Sequence, residues 1–240
     1  MVSVIEPGVN IMNLEEAFLF IIEVVGTIAF AISGIRLAAY KNFDLFGAYT
    51  IGLVTATGGG TLRDMMLNLP VFWLQNPIYL AVTGLSLAIV IIFRRMLVSH
   101  NRLLFTFDAI GLALFVVIGI QKTLAAGYPM WAAVIMGMVT GSFGGIVRDI
   151  LINEEPLFFR KDIYATACLA GGGVYWLIDI AGGSTVLQQA VCATTVIGLR
   201  VCALYFNWAL PVLTYDVKKE QISDKAKIDN PEDLGDDLKE

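Results

Sequence analysis

Charge is scarce in this chain. Aspartate, glutamate, lysine and arginine make up 15% of 240 residues, where a soluble domain carries about a quarter. Histidine is scarcer still: His100 stands alone in a short basic loop, where a surface role is expected. No Ser-His-Asp, His-Glu-x-x-His or Walker pattern is present, so the sequence presents no enzyme chemistry and implies no cofactor. The three cysteines, Cys168, Cys192 and Cys202, are odd in number and lack metal-ligand spacing, which argues against a disulfide framework and a zinc site. No stretch is both basic and aromatic, which excludes an evident nucleic-acid surface. Residues 1–16 lack the basic n-region of a cleavable signal peptide, so the first apolar run is expected to be retained.

What is abundant is apolar. Hydrophobic residues reach 57% and the mean hydropathy is +0.74. They fall in blocks of about 20, the length that crosses roughly 30 Å of hydrocarbon at 1.5 Å per residue. The expected fold is all-α and polytopic, with seven transmembrane helices near 15–35, 45–68, 77–97, 103–121, 130–153, 163–180 and 187–206. The net charge of −5 comes largely from residues 214–240, where nine acids meet five lysines with too little apolar content to fold. That cytoplasmic tail is expected to be disordered.

Basic residues sort by loop. One alternate set carries Arg36, Lys41, Arg94, Arg95, Arg102, Arg160, Lys161 and the tail lysines, whereas the other carries only Lys122. The asymmetry predicts an outside N-terminus and a cytoplasmic C-terminus.

The chain also repeats itself. A shift of 85 residues lays 23–79 on 108–164 without a gap. Identities include Gly26/Gly111, Phe30/Phe115, Gly34/Gly119, Gly52/Gly137, Thr55/Thr140, Gly59/Gly144, Gly60/Gly145, Arg63/Arg148, Asp64/Asp149, Asn68/Asn153 and Tyr79/Tyr164, and Glu23 meets Asp108. Glycine and apolar matches come cheaply in membrane sequences; Arg, Asp and Asn in register do not. Three spans per copy is an odd number, so the copies should be inverted about an axis in the membrane plane. The organisation read from this is an extracytoplasmic N-terminus (1–14), a first three-helix repeat (15–97), a second (98–182), a seventh helix (183–213) and the tail (214–240).

Two stretches are awkward in lipid. Span two carries Gly58, Gly59 and Gly60 and then Arg63 and Asp64; span five carries Gly144 and Gly145 and then Arg148 and Asp149. Each glycine weakens a helix by about 1 kcal/mol relative to alanine, and consecutive ones predict a break whose freed carbonyls could face a cation path. Gly26, Gly34, Gly111 and Gly119 read instead as close-packing positions. An Arg or Asp at mid-span costs roughly 2.5–3.5 kcal/mol, so the four together would cost on the order of 10 kcal/mol unpaired. Adjacent residues do not share a helix face, so partners are sought elsewhere. Depth selects Glu23 for Arg63 in the outer half and Asp108 for Arg148 in the inner half. Ser33, Thr55, Thr57, Thr61, Thr140 and Ser142 are candidate lining hydroxyls beside the glycines. Arg200, on span seven, reads as a snorkelling interfacial residue of low functional weight.

With two three-span repeats, each bearing a Gly-Gly-x-x-Arg-Asp core, and a seventh span, residues 15–206 resemble the prokaryotic trimeric intracellular cation (TRIC) channel family. Many bacterial members carry the older label of glycine transporter. The resemblance implies a potassium-permeable, monovalent-cation channel in the prokaryotic inner membrane, assembled as a homotrimer among membrane lipids. Each subunit would hold its own pore, lined by spans two and five, with K+ as a transient occupant and no bound metal. It also implies gating by a basic residue on span five, where Arg148 lies. This chain departs in having Phe143 where the first repeat has a third glycine, and it lacks the basic lipid-binding motif of eukaryotic members. The alternative is a secondary transporter of a small amino acid such as glycine, since inverted repeats with interrupted helices also suit alternating access.

Overall fold

The structure, a computed structural model, describes residues 14–99, 101–159, 163–206 and 208–209. The expectations for residues 1–13, His100, Arg160, Lys161 and the acidic tail lie outside these residues.

The described residues are helical: α1 (Leu14–Tyr40), α2 (Leu45–Met66), α3 (Phe72–Gln75), α4 (Ile78–Ile92), α5 (Arg94–Ser99), α6 (Asn101–Ala125), α7 (Met130–Leu151), α8 (Ala165–Ile180) and α9 (Thr185–Phe206). Among them, α1, α6, α7 and α9 are long and apolar enough to cross a membrane. The helices α4 and α8 are shorter, at 15 and 16 residues. At 22 residues α2 has the length, but its glycines, threonines and Arg-Asp pair dilute its hydropathy.

Several predicted boundaries move. The first helix runs on to Tyr40, so Arg36 is a helical residue, 3% exposed, that donates from Nε to the carbonyl of Leu97 rather than lying in a loop. The span expected over 77–97 divides between α4 and α5, where apolar sequence gives way to Arg94 and Arg95. Lys122 falls in the last turn of α6, not in a connecting loop.

Helix ends explain part of the repeat. Asp44 caps α2 by accepting from the Gly47 amide at 2.7 Å. The α2 terminus closes with Leu69 N donating to the Asp64 carbonyl at 2.8 Å, and that of α7 with Glu154 N donating to the Asp149 carbonyl at 2.8 Å. Between donor and acceptor sit Asn68 (φ 54°) and Asn153 (φ 57°), left-handed positions that asparagine tolerates better than most residues. The paired asparagines are therefore helix stops.

The glycines do not break the helices. α2 is continuous through Gly58, Gly59 and Gly60, and α7 through Gly144 and Gly145. What they supply is the absence of a side chain where backbones meet. A Cβ on Gly59 would overlap the carbonyl oxygen of Thr140, and one on Gly144 would overlap that of Thr55. A Cβ on Gly58 would come within 3.4 Å of the Gly144 Cα. Close contact between α2 and α7 recovers dispersion energy that a hinge would forfeit, and the helical hydrogen bonds stay made.

These contacts are reciprocal. Gly59 meets Thr140 as Gly144 meets Thr55, and Gly26 lies against the Phe115 ring as Gly111 lies against that of Phe30. Phe30 and Phe115 stack on each other with centroids 5.4 Å apart. In these pairs a glycine of one copy touches, in the other copy, the counterpart of the residue four positions from it, the pattern of a self-complementary contact. Packing of α1 on α6 and of α2 on α7 forms the core that holds the site.

Candidate functional site: two buried charge nodes

Each Arg-Asp pair sits in the last turn of its helix, just beyond the α2–α7 contact. Arg63 is 0% exposed and Arg148 1% exposed. Both guanidiniums fold back on the adjacent carboxylate, contrary to the expectation that neighbours would not pair. Arg63 Nε donates to Asp64 Oδ1 at 2.8 Å, and Arg148 Nε to Asp149 Oδ1 at 2.8 Å. Helix-face geometry constrains Cβ directions, but three methylenes let an arginine curl around the helix end. The second carboxylate oxygen of each aspartate accepts a backbone amide eight residues on, Phe72 N at 3.0 Å and Leu157 N at 3.1 Å. Each aspartate thus ties the arginine to the segment leaving the helix.

The second carboxylates arrive from α1 and α6. Asp108 Oδ1 is 2.6 Å from Arg148 Nη1, which also donates to Ser33 Oγ at 2.9 Å. Glu23 Oε1 is 4.0 Å from Arg63 Nη2. Glu23 is held more closely by Lys122, at 2.8 Å, and by the Tyr79 hydroxyl, at 3.0 Å. Phe72 lies under both cations, with Arg63 5.7 Å and Lys122 5.3 Å from its centroid.

The α7 node has its own extra cation, and it is Arg200. This residue is 1% exposed and so does not snorkel. It lies over the Tyr164 ring at 4.6 Å, donates from Nη1 to the Ile163 carbonyl at 3.1 Å, and places Nη2 3.9 Å from Asp108 Oδ2. The expected surface role is overturned because α9 packs on α6 and α8, turning that face inward.

The nodes differ in access. A cavity of about 530 Å³ opens at the α2 node, lined by Glu23, Asp64, Phe72, Tyr79 and Lys122 among others, and Lys122 is 30% exposed there. At the α7 node Asp108 and Tyr164 are buried, and Asp108 Oδ2, the Tyr164 hydroxyl and Arg200 Nε and Nη2 have no hydrogen-bond partner among the described residues, as is also true of Arg63 Nη1 and Nη2 at the α2 node.

The hydroxyls beside the glycines are committed inward. Thr55, Thr57, Thr61, Thr140 and Ser142 each donate to the carbonyl four residues earlier, at 2.6–2.8 Å. Ser33 alone among the candidates meets a charge. The residues that sequence reasoning missed are Lys122 and Arg200, together with the roles of Tyr79 and Tyr164. The tyrosines carried a signal, being identical at the 85-residue offset. Lys122 and Arg200 have no counterpart cation at that offset, so the repeat could not reveal them.

Apolar helices crossing at glycine contacts, with ion-paired charges buried at their ends, define an integral membrane protein. A family model described as glycine transporter matches residues 20–95 and 105–179, its two segments starting 85 residues apart, the offset of the repeat. A UPF0126 membrane protein of Vibrio cholerae is 40% identical over 203 residues, 82% of this chain and 84% of that protein. The UPF0126 inner membrane protein YadS of Escherichia coli is 39% identical over 200 residues, 81% of this chain and 94% of that one. Among solved structures, the TRIC trimeric intracellular cation channel orthologue from Rhodobacter sphaeroides superposes with a TM-score of 0.76 at 32% identity, covering 80% of this chain and 99% of that chain. The chain belongs to this glycine-transporter family of UPF0126 membrane proteins, which is the family of the TRIC channels.

Proposed function

We propose that the protein is a monovalent-cation channel, potassium-permeable and homotrimeric, whose seven transmembrane helices place a pathway along the α2–α7 contact of each subunit. The observation that carries the reading is the pair of buried arginine–carboxylate nodes, one beyond each end of that contact. The similarity to a trimeric intracellular cation channel orthologue supports both the transport class and the assembly. Reciprocal packing of the two copies supports their inversion in the membrane, with Glu23 and Arg63 toward the outside and Asp108 and Arg148 toward the cytoplasm. The basic-residue asymmetry supports an outside N-terminus in the inner membrane.

Backbone contact at Gly59 and Gly144 leaves no width for an ion, so passage requires α2 and α7 to part or slide. The nodes hold the two helix ends to α1 and α6, and releasing them frees that motion. Gly58 leaves room beside the Gly144 backbone, Gly60 and Gly145 make room for the Phe72 ring and the Tyr164 hydroxyl at the nodes, and Thr55, Thr57, Thr140 and Ser142 offer oxygen lone pairs once the helices separate. An arginine beside a cation path raises the local barrier unless a carboxylate offsets it. Arg63 and Arg148, with Asp64, Asp149, Glu23 and Asp108, therefore act as paired gates and not as lining charges. Arg148→Ala is expected to change open probability several-fold in planar bilayers, and unchanged currents would remove Arg148 from the mechanism.

The family model's description favours one alternative, a carrier for glycine. Purified protein in liposomes separates the two. Single-channel steps under a potassium gradient support the channel; saturable glycine counterflow without such steps supports the carrier.

A further inference from the structure

We infer that Asp108 exchanges partners between Arg148 and Arg200, and that Arg200 is a positioning residue for the gate although it lies outside the duplicated segment. The inference rests on the reading of Arg148 as a gating residue.

The two nodes contain matching parts in different settings. At the α7 node the repeat's arginine holds the carboxylate, with Arg148 Nη1 at 2.6 Å, while the additional cation stands off, with Arg200 Nη2 at 3.9 Å. At the α2 node the assignment is reversed. Lys122 Nζ holds Glu23 at 2.8 Å, and Arg63 Nη2 stands off at 4.0 Å. Segments related by a gap-free 85-residue shift thus show one carboxylate between two cations in both of its arrangements.

The α7 node is equipped for the second arrangement. Arg200 is fixed by the Tyr164 ring at 4.6 Å and by the Ile163 carbonyl at 3.1 Å, so its guanidinium is in place before any exchange. The groups that a rotated Asp108 would engage are those lacking hydrogen-bond partners: its own Oδ2, the Tyr164 hydroxyl and Arg200 Nε and Nη2. Side-chain length accounts for the difference between nodes. Glu23 has one methylene more than Asp108 and reaches both Lys122 and the Tyr79 hydroxyl, at 3.0 Å. Exchange keeps the buried net charge constant, which avoids the penalty of leaving a carboxylate unpaired. It would release the end of α7 while Asp108 remains neutralised by α9.

The test is single-channel recording of the full chain in planar bilayers with potassium chloride. Arg148→Gln removes the holding partner and is expected to raise open probability several-fold. Arg200→Gln removes the receiving partner and is expected to lower it several-fold at unchanged unitary conductance. A merely structural Arg200 would not give opposite signs. Asp108→Glu keeps the charge and supplies the α2 node's reach, and is expected to raise open probability; it decides the matter if Arg200→Gln does not accumulate. If Arg148→Gln changes gating while Asp108→Glu and any assembled Arg200→Gln behave as wild type, exchange is overturned and the gate stands. Shifts of the same sign in Arg148→Gln and Arg200→Gln also overturn exchange. Wild-type gating in Arg148→Gln overturns the gate and the inference together.

Discussion

Replacing Asp108 with asparagine is expected to lower the unfolding free energy of the detergent-solubilised protein by about 3–5 kcal/mol, the cost of removing one partner from a buried ion pair. Asp108 is 0% exposed and faces two guanidiniums, Arg148 at 2.6 Å and Arg200 at 3.9 Å. Asparagine keeps the shape and abolishes the charge. Asp149 then remains as the nearby carboxylate of Arg148, and it already accepts the Leu157 amide. Glu23→Gln provides the internal contrast. Its cation partner Lys122 is 30% exposed at an open cavity, so water can replace the lost charge and the loss should be smaller. Denaturant or thermal unfolding of the two variants side by side checks this. Equal losses would mean that the α7 node is hydrated to the same degree as the α2 node.

The second large effect is expected from adding a single methyl group at Gly59 or Gly144. In each case the obstacle is a backbone carbonyl oxygen, of Thr140 or of Thr55, which cannot rotate aside as a side chain would. Helices α2 and α7 must move apart, and Gly59→Ala or Gly144→Ala should cost about 1–3 kcal/mol through overpacking. Gly173, on α8, is the control: nothing lies within 4 Å of a Cβ built there, so Gly173→Ala should not destabilise. Thermal unfolding in detergent is the readout. A hinge role would predict the opposite for the two contact glycines, since alanine strengthens a helix that must bend. Full stability with altered currents would therefore restore the hinge.

That contrast shows where sequence reading succeeds and where it stops. The ion pairs were legible because burying an unpaired charge is so unfavourable that depth alone narrows the choice of partner. Counting residues along spans brings Asp108 to Arg148, 2.6 Å apart, but it leaves Glu23 4.0 Å from Arg63 and held instead by Lys122, and it passes over the adjacent Asp64 and Asp149 that the two arginines contact. The glycines were legible as important but not in their role. A flexible backbone and a missing side chain are the same atom-level fact, and only the neighbouring helix distinguishes them. Lys122 reads as a loop residue because a shift of one turn separates a connecting segment from the end of α6, and Arg200 falls on span seven without its face being known, since that face turns inward only through packing on α6 and α8. The hydroxyls turned back on their own helices, which the pattern of Thr and Ser beside glycine does not disclose.

The interlocked duplication constrains how such a chain can change. Phe30 occupies the hollow left by Gly111, and Phe115 the hollow left by Gly26. A larger residue at Gly111 would overlap the Phe30 ring and one at Gly26 would press to 3.1 Å on the Phe115 ring, so each change calls for an adjustment of that phenylalanine in the opposite half. Substitutions at these positions should therefore spread through relatives as linked pairs that cross between the halves, and the two repeats cannot drift apart independently where they touch.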